Sequence, residues 1–334
     1  MVPRSRIVRV RGLLVVNPQA TTTSPRTADI IVSALSAQLD LDVVPTAHRD
    51  HARELGERAR SENLDVIVTF GGDGTVNEVV HGLMTGIDGS TPRESDTGPI
   101  LAPVPGGSAN VFARALGLPR NPVEAAGEIL ASLRAGSTRR IGLGRTVVTD
   151  GARRESVRWF TANAGLGIDA GVIEAMESAR AEGLTASPAR YLRTAVRQFF
   201  TGTDRHQPAL TVQRGDEVVE GVFWAIVQNT SPWTYLGAVP IDACPDASFD
   251  TGLDLFALRR MGLFTATRAA RRLLSNSQAG STKRSITVWH DTQALAMTAE
   301  PAVVMQVDGE LIGPVIAARF TSVPDAVTTV LSRP

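Results

Sequence analysis

Two glycine-rich turns, each placed directly after a short apolar segment, constrain this sequence most. The apolar segment at 66–70 leads into the turn GGDGT at 71–75, and the apolar segment at 100–104 leads into PGGSAN at 105–110. Short apolar runs that end in glycine are typical of buried strands. Because the ligands of open α/β sheets bind at the carboxyl ends of the strands, we predict that the two turns lie side by side at one ligand-binding edge.

The first half of the chain alternates strand-like and helix-like segments, which predicts a parallel sheet covered by helices. The predicted strands are 13–16, 41–44, 66–70 and 100–104, and the predicted helices are 27–39, 51–61 and 76–84. From about Arg139 the pattern changes to strands separated by short turns, which predicts a mostly β second domain. Its predicted strands are 158–164, 209–213, 222–229, 252–257, 285–290 and 302–307, and its predicted helices are 172–180, 188–200 and 262–275. We expect the hinge between the two domains at 134–140.

Composition excludes several classes of protein and site. The 34 Lys and Arg residues balance the 34 Asp and Glu residues, so no overall field attracts nucleic acid, and none is expected as a partner. Lys283 is the only lysine, which excludes a phosphate-binding loop that depends on a lysine. Cys244 is the only cysteine, so no intrachain disulfide can form. No run of about 18 apolar residues occurs, and we therefore predict a cytoplasmic chain without a membrane span.

The first glycine turn has the chemistry of a phosphate site. Glycines let the backbone approach a ligand closely, and the N–H groups that open the following helix favour an anion, so a nucleotide phosphate is the expected ligand. Neither turn matches the lysine-containing P-loop or the dinucleotide-binding G-x-G-x-x-G pattern. The simpler alternative is an ordinary strand-to-helix turn in which Asp73 caps a helix.

The chain resembles the diacylglycerol kinase catalytic-domain family, which includes bacterial diacylglycerol kinases, related soluble lipid kinases, sphingosine kinases and ceramide kinases. The resemblance rests on five motifs in the family's order: NP at 17–18, the paired glycine turns at 71–80 and 105–110, AGLGIDA at 164–170, DTGLD at 250–254, and VDGE at 307–310. It implies an N-terminal α/β nucleotide-binding domain, similar to those of NAD kinases and phosphofructokinases, and a C-terminal β-sandwich-like lipid-binding domain. The implied boundaries are 1–136, completed by about 316–334, for the first domain and 137–315 for the second.

The family's site residues carry over to matching positions of this sequence. The resemblance implies ATP and Mg²⁺ as cofactors. The implied nucleotide-binding residues are Asn17, Thr46, Gly71, Gly72, Asp73, Gly74, Thr75, Gly106, Gly107, Ser108 and Asn110, with Glu78 supporting the turn. The implied catalytic residues are Glu310 as the base, Asp308 as its neighbour, and Asp73 beside the phosphates and magnesium. Sphingosine kinases are usually described with the acid of the glycine turn, here Asp73, as the base. Asp169 is implied to lie near the lipid head group, and Asp250 to bind a structural divalent ion.

Each acid outside the glycine turns also has a simpler reading. Asp169 could cap a turn, and the acids at 246, 250 and 254 could belong to a solvated loop. Asp-Gly is a common turn dipeptide, so the segment 308–310 could be a surface hairpin.

The implied activity is ATP-dependent phosphorylation of a lipid hydroxyl, diacylglycerol to phosphatidic acid. A sphingoid base, ceramide, monoacylglycerol or phosphatidylglycerol could also be the acceptor. The chain could instead be a kinase of a soluble substrate, as among NAD kinases, or a non-catalytic lipid-binding regulator.

The expected partner is a membrane lipid at the bilayer surface, reached by transient association with the inner face of the membrane, and a homodimer is a second expected assembly. Segment 188–200 separates Arg190, Arg193 and Arg197 from an apolar face, which is typical of an interfacial helix and also of a core-facing one. Segment 262–275 is a second candidate of the same kind.

Overall fold

The computed structural model describes residues 10–87, 98–167, 209–260 and 285–331. Asp169 and the predicted helices 172–180, 188–200 and 262–275 lie outside the described residues. The helices are α1 (Pro25–Ser36), α2 (His51–Ser61), α3 (Asp73–Leu83), α4 (Val111–Ala115) and α5 (Pro122–Ala135). The strands are β1 (Val10–Val16), β2 (Leu39–Pro45), β3 (Val66–Gly71), β4 (Ile100–Pro105), β5 (Thr138–Asp150), β6 (Glu155–Phe160), β7 (Asn163–Leu166), β8 (Leu210–Arg214), β9 (Glu217–Val222), β10 (Trp224–Gln228), β11 (Thr234–Leu236), β12 (Val239–Ile241), β13 (Leu253–Leu258), β14 (Ile286–Thr292), β15 (Ala294–Val307) and β16 (Glu310–Val330). None of the helices within these ranges is long and apolar enough to cross a membrane.

The described chain divides into two compact units. The first unit runs to residue 87, continues from 98 to Arg140, and resumes at Val327; the second runs from Ile141 to Ala326. The sequence-based boundary at 136/137 lies four residues earlier than the observed one, and the boundary at about 316 lies about eleven residues earlier. Both observed boundaries fall inside strands, β5 and β16, so the chain passes from one unit to the other without a loop at these points.

The first unit is built on a parallel sheet. Its strand order is β2, β1, β3, β4, and Val15 of β1 lies opposite Thr69 of β3, which lies opposite Pro103 of β4. All six residues of β3 are buried, as expected for a parallel strand covered by helices on both faces. The structure therefore confirms the predicted α/β class of the first half.

The two prolines of β4 show why this strand tolerates residues that lack an N–H group. The N–H groups of Ile100 and Gly106 both donate to the β3 side, at 2.9 and 2.7 Å. Since N–H directions alternate along a strand, Pro103 and Pro105 face the other side, where β16 pairs with β4 at Leu101. The prolines therefore cost β4 no hydrogen bond to β3.

The second unit is strand-rich, as predicted. Its main sheet has the order β14, β13, β10, β7, β15, β16, with β8 paired to β15. Along β10, Ala225 and Val227 pack into one buried cluster while Trp224 and Ile226 pack into another. Because side chains alternate between the faces of a strand, this sheet has a core on both sides.

The structure corrects several predicted boundaries. Helix α3 begins at Asp73 rather than at 76, because Gly72 is its N-cap and the rest of the glycine turn forms its first residues. Helix α1 begins at Pro25 because the Oγ of Ser24 accepts the N–H of Thr27 at 3.1 Å. It ends at Ser36, since Leu39 already belongs to β2. The predicted strand 158–164 is two strands, β6 and β7, interrupted at 161–162. Helix α5 and the long strands β5 and β16 are absent from the sequence-based prediction.

Helices α2 and α3 cross at a pair of glycines. A Cβ on Gly82 would lie 2.1 Å from the carbonyl oxygen of Arg53, and a Cβ on Gly56 would lie 2.4 Å from that of Val79. No side chain fits at either position, so the two helix backbones are in direct contact. This crossing fixes the start of α3, and with it the first glycine turn, relative to α2.

We expect Gly82→Ala to destabilise the protein by about 1–3 kcal/mol, the usual cost of overpacking, although alanine is the better helix former. The matched control is Gly127→Ala in α5, where a Cβ meets nothing within 4 Å. This control should be neutral or stabilising by up to about 1 kcal/mol. Urea unfolding of both variants measures the difference, and equal stability would contradict the assigned crossing.

Candidate functional site

The two glycine turns are in backbone contact. A Cβ on Gly107 would lie 2.7 Å from the Cα of Gly72, and a Cβ on Gly106 would lie 3.0 Å from the Cα of Gly71. The N–H of Gly106 also donates to the carbonyl of Gly71 at 2.7 Å. Any side chain at Gly106 or Gly107 would push the turns apart, so these glycines are required by the packing of one turn on the other.

Thr75 and Asn17 close the first turn from the side of β1. A Cβ on Gly71 would lie 2.5 Å from the Oγ1 of Thr75, so this glycine makes room for the threonine. The Nδ2 of Asn17 donates to the same Oγ1 at 3.0 Å, and the Oδ1 of Asn17 accepts the N–H of Gln19 at 2.9 Å. Asn17 therefore ties the end of β1 to the first turn of α3.

Gly74, the third glycine of the first turn, does not pack against a neighbouring group on the side where a Cβ would lie. Nothing lies within 4 Å of the position that a Cβ on Gly74 would occupy, its φ is not positive, and the residue is exposed. It is the second residue of α3, where the helix's own first N–H groups have no acceptor within the helix. The glycine thus keeps a surface open at a helix N-terminus, which is the arrangement that an approaching anion requires.

Asp73 joins the two turns through its carboxylate. Its Oδ1 accepts the N–H of Phe112 at 3.1 Å, in the first turn of α4. Asp73 therefore caps the helix that follows the second glycine turn, whereas the N-cap of its own helix is Gly72. The half-buried carboxylate is held at the edge of the sheet by this bond.

Asn110 shapes the second turn. It has a left-handed backbone, with φ of 50°, its Oδ1 accepts the N–H of Gly107 at 2.8 Å, and its Nδ2 donates to the carbonyl of Gly107 at 2.7 Å. Asparagine tolerates this conformation better than most residues. Ser108, inside the loop that these bonds close, is exposed.

Glu78 lies on α3, and Thr46 directly follows β2. The Oε2 of Glu78 accepts the N–H of Ala52 at 3.2 Å, in the first turn of α2, whose N-cap residue Asp50 makes no side-chain capping bond. The side chain of Glu78, on α3, therefore caps the N-terminus of α2. Thr46 follows β2, and its N–H donates to the carbonyl of Val16 at 2.8 Å.

A group of potential metal ligands stands at the start of α2. One ligand atom from each of His48, His51 and Glu54 lies within 4.8 Å of the others. The Nδ1 of His48 donates to the carbonyl of Arg49 at 2.8 Å, which leaves the lone pair on Nε2. The Nδ1 of His51 accepts the N–H of Ala47 at 3.0 Å, which puts the proton of neutral His51 on Nε2. The group thus presents one imidazole lone pair rather than two.

In the second unit, Asp308 and Gly309 form the turn between β15 and β16. Both have positive φ, 47° and 83°, and Val307 pairs with Glu310 across the turn. Two positive φ values with the sequence Asp-Gly identify a type I′ hairpin turn. Glu310 is half-buried directly after it.

The carboxylate of Asp308 is buried and accepts four hydrogen bonds. Its Oδ2 accepts the N–H and the Oγ1–H of Thr161, at 2.7 and 2.9 Å, and its Oδ1 accepts the N–H groups of Ala162 and Asn163, at 2.9 and 3.0 Å. Two of the N–H groups belong to Thr161 and Ala162, the residues at which the strand is interrupted between β6 and β7. Asp308 is thus a structural anchor, a role that the motif did not reveal.

Two buried amides continue this network and were missed by the sequence analysis. The Nε2 of Gln306 donates to the Oδ1 of Asn163 at 2.9 Å, and the Oε1 of Gln306 accepts the N–H of Gly309 at 2.8 Å. Both side chains are buried. A polar residue in a strand that otherwise alternates apolar residues is the only sequence signal they carry, and it does not identify a partner.

The three acids around the predicted metal position are in different environments. Asp246 and Asp250 are exposed, whereas Asp254 is buried and lies 2.8 Å from the Nδ1 of His290. Burial raises the pKa of Asp254, and the hydrogen bond that His290 donates to Asp254 raises the pKa of His290. The role of Asp250 as a metal ligand stays a prediction.

The sequence of residues 11–146 matches the family model of the diacylglycerol kinase catalytic domain. Residues 11–146 are thus similar to a diacylglycerol kinase catalytic domain. This match confirms the resemblance on which the sequence analysis relied, and the domain includes every predicted nucleotide-binding residue from Asn17 to Asn110. Asp250, Asp308 and Glu310 lie beyond the matched residues.

Relatives of this domain include the diacylglycerol kinase of Bacillus subtilis strain 168, which is 40% identical over 72 residues, 22% of this chain and 21% of that protein. The diacylglycerol kinase of Staphylococcus aureus strain Newman is 31% identical over 116 residues, 34% of each chain. The aligned segments thus span a fifth to a third of these relatives' length.

Solved structures extend the likeness of fold to nearly the whole chain. A diacylglycerol kinase from Bacillus anthracis strain Sterne has a TM-score of 0.68, with 19% identity over 97% of both chains. Yeast NADH kinase in complex with NADH has a TM-score of 0.53, with 10% identity over 97% of this chain and 84% of that one. The predicted likeness of the fold to NAD kinases is confirmed.

We expect Asp308→Asn to destabilise the protein by about 2–4 kcal/mol, because the amide nitrogen must face N–H groups that the carboxylate oxygens now accept. The matched control is Asp216→Asn in the exposed turn between β8 and β9, which should leave stability unchanged. Thermal unfolding measures both. A Tm of Asp308→Asn equal to that of the control would remove the anchor role and return Asp308 to the catalytic candidates.

Proposed function

We propose that this protein is an ATP-dependent lipid kinase that transfers a phosphoryl group to the hydroxyl of a diacylglycerol-like lipid. The diacylglycerol kinase catalytic domain supports the reaction class. The observation that carries the proposal is the open surface at Gly74, at the N-terminus of α3 and beside two glycine turns in backbone contact. Packing contacts require the absence of a side chain at Gly71, Gly106 and Gly107. At Gly74 the absence of a side chain leaves room for a bound phosphate.

The residues of this edge fit a magnesium nucleotide. ATP would supply the phosphoryl group, with Mg²⁺ neutralising its phosphate charge. The N–H groups at the start of α3 would bind phosphate oxygens, and Asp73 offers a carboxylate of the type that magnesium prefers. Ser108, exposed in the second turn, offers a hydroxyl at the same edge. Asn17 and Thr46, which follow β1 and β2, belong to the same row of strand ends.

Glu310 is the proposed base. A lipid alcohol is a weak nucleophile, so a carboxylate that accepts its proton and orients it would raise the rate. The type I′ turn fixes the backbone directly before Glu310, and the four bonds to Asp308 hold that turn in place. In this proposal Asp308 holds the turn in position, and Glu310 accepts the proton of the lipid hydroxyl.

The acceptor is proposed to be diacylglycerol at the inner face of a bilayer, approached by the protein as a peripheral partner. Asp169 as a head-group contact, Asp250 as a metal ligand, the docking helix 188–200 and a homodimer remain part of this proposal. A panel of lipids incubated with labelled ATP, with products separated by thin-layer chromatography, identifies the acceptor. Absence of any labelled lipid, with ATP turned over on a soluble alcohol, would contradict a lipid kinase.

Asp73→Asn should preserve the fold, because an asparagine oxygen can still accept the N–H of Phe112. It should lower turnover by at least about 10²-fold, the scale expected when a preorganised charge is removed. Initial rates measure turnover, with circular dichroism as the check on folding. Asp40→Asn, an exposed acid at the opposite end of the sheet in β2, is the control and should keep its rate. Near-normal turnover in folded Asp73→Asn would remove Asp73 from the site.

Glu310→Gln should bind Mg-ATP with unchanged affinity while losing lipid phosphorylation, because the substitution removes only the group that accepts the proton of the lipid hydroxyl. Isothermal titration of ATP together with rates on diacylglycerol separates binding from reaction. The control is Glu220→Gln on the exposed side of β9, which should match the unmodified protein in both. If Glu310→Gln keeps substantial lipid kinase activity, Glu310 is not the base and Asp73 is the next candidate.

A further inference from the structure

One hairpin of the second unit is free of charged side chains. Residues 229–241 contain no Asp, Glu, Lys, Arg or His. Strands β11 and β12 pair with each other as a two-stranded sheet separate from the main one, joined by Gly237 and Ala238. Gly237 has a φ of 65°, and glycine at the first of two turn positions is typical of a type II′ hairpin. The hairpin therefore has an uncharged tip.

The tip exposes small apolar residues to solvent. Ala238, Val239 and Pro240 are exposed, and Val239 has 49% of its surface accessible. Exposure of one apolar residue does not by itself indicate a binding surface, because Val218 on β9 is also exposed, by 51%. Val218, however, stands next to the exposed Glu217, whereas the nearest charged residue in the sequence to Val239 is Asp242, which is only 4% exposed.

The base of the hairpin carries two amphipathic aromatic residues. Trp233 is half-buried and makes an edge contact with Trp224 at 5.6 Å between ring centroids. Tyr235, two positions further along the chain and the middle residue of β11, is also half-buried. Trp and Tyr behind an apolar tip are typical of elements that stand in the interface of a bilayer, where one side is apolar and the other hydrated.

Hydrogen bonds connect the hairpin to the turn that carries the proposed base. The Nδ2 of Asn163 donates to the carbonyl of Trp233 at 2.9 Å, and the Oδ1 of Asn163 accepts from Gln306, which also holds Gly309. Three consecutive bonds thus lead from the base of the hairpin to the residue before Glu310. The base of the hairpin is therefore connected, through buried amides, to the turn that precedes Glu310.

We propose that the β11–β12 hairpin is a membrane-contact element, which inserts Ala238, Val239 and Pro240 into the interface of a lipid bilayer. This inference rests on the proposed function and adds the surface through which the lipid is reached. Three paired residues span about 10 Å, which matches the depth of about 5–10 Å that interfacial elements reach. A second copy of the chain is a poor occupant, because a three-residue tip is far smaller than the roughly 800 Å² per partner of a specific interface.

A single fluorophore tests the insertion without relying on activity. Cys244 is 1% exposed, and Cys244→Ala leaves the chain without another cysteine. Val239→Cys and Val218→Cys in that background are then labelled with nitrobenzoxadiazole and mixed with vesicles of phosphatidylcholine, phosphatidylglycerol and diacylglycerol. The label at 239 should brighten and shift to the blue, and the label at 218 should not.

The absence of a shift at 239 overturns the proposal, whether or not the protein sediments with the vesicles. Equal shifts at both positions overturn it as well, since the contact would then not be specific to the hairpin. A shift at 239 that follows protein concentration without vesicles identifies a second copy as the occupant.

Rates on two forms of the acceptor test the consequence for the reaction. Val239→Asp should weaken partitioning onto vesicles about tenfold, because a charge replaces an inserted apolar side chain. Its rate should fall on vesicle-embedded diacylglycerol and remain normal on monomeric dihexanoylglycerol, while the control Val218→Asp keeps both. Equal vesicle rates for the two variants overturn the proposal. If the unmodified protein phosphorylates neither acceptor, the proposed function fails, and the fluorophore still decides the insertion.

Discussion

Backbone contact between the two glycine turns is the constraint on which the first unit depends. With Gly72 and Gly107 in van der Waals contact, the ends of β3 and β4 are brought together at one edge, and α3 and α4 start from the same place. The crossing of α2 and α3 at Gly56 and Gly82 then fixes the direction of α3. A helix N-terminus held from both sides is preorganised, so a phosphate bound there requires little rearrangement of the protein.

Carboxylates hold backbone N–H groups at three of the candidate positions. Asp73 accepts from α4, Glu78 accepts from α2, and Asp308 accepts from the three successive residues that follow β6. Such charged acceptors contribute more than neutral ones, and their removal leaves buried donors without partners. The acids that motifs assign to chemistry therefore also hold the structure, so loss of activity in a variant assigns a chemical role only when its fold is shown to be intact.

The second unit combines an anchored turn with an uncharged hairpin. A buried amide, Asn163, contacts both, because it bonds to the carbonyl of Trp233 and to Gln306. The proposed base, Glu310, and the proposed membrane contact, the β11–β12 hairpin, thus belong to one unit. The absence of charged residues in segment 229–241 is evident from the sequence, but its pairing into a two-stranded sheet separate from the main one is not.

The sequence by itself determined the fold class, the ends of β1, β3 and β4 with their turns, and the family, since apolar periodicity and glycine positions are local properties. It did not determine where α3 begins, because only the packing on α2 and on the second turn carries the helix through Gly74. It also did not predict that 158–164 is two strands. The residues at that break donate to Asp308, about 150 positions away in the chain, and a hydrogen bond between residues so distant in sequence exists only once the tertiary structure brings them together.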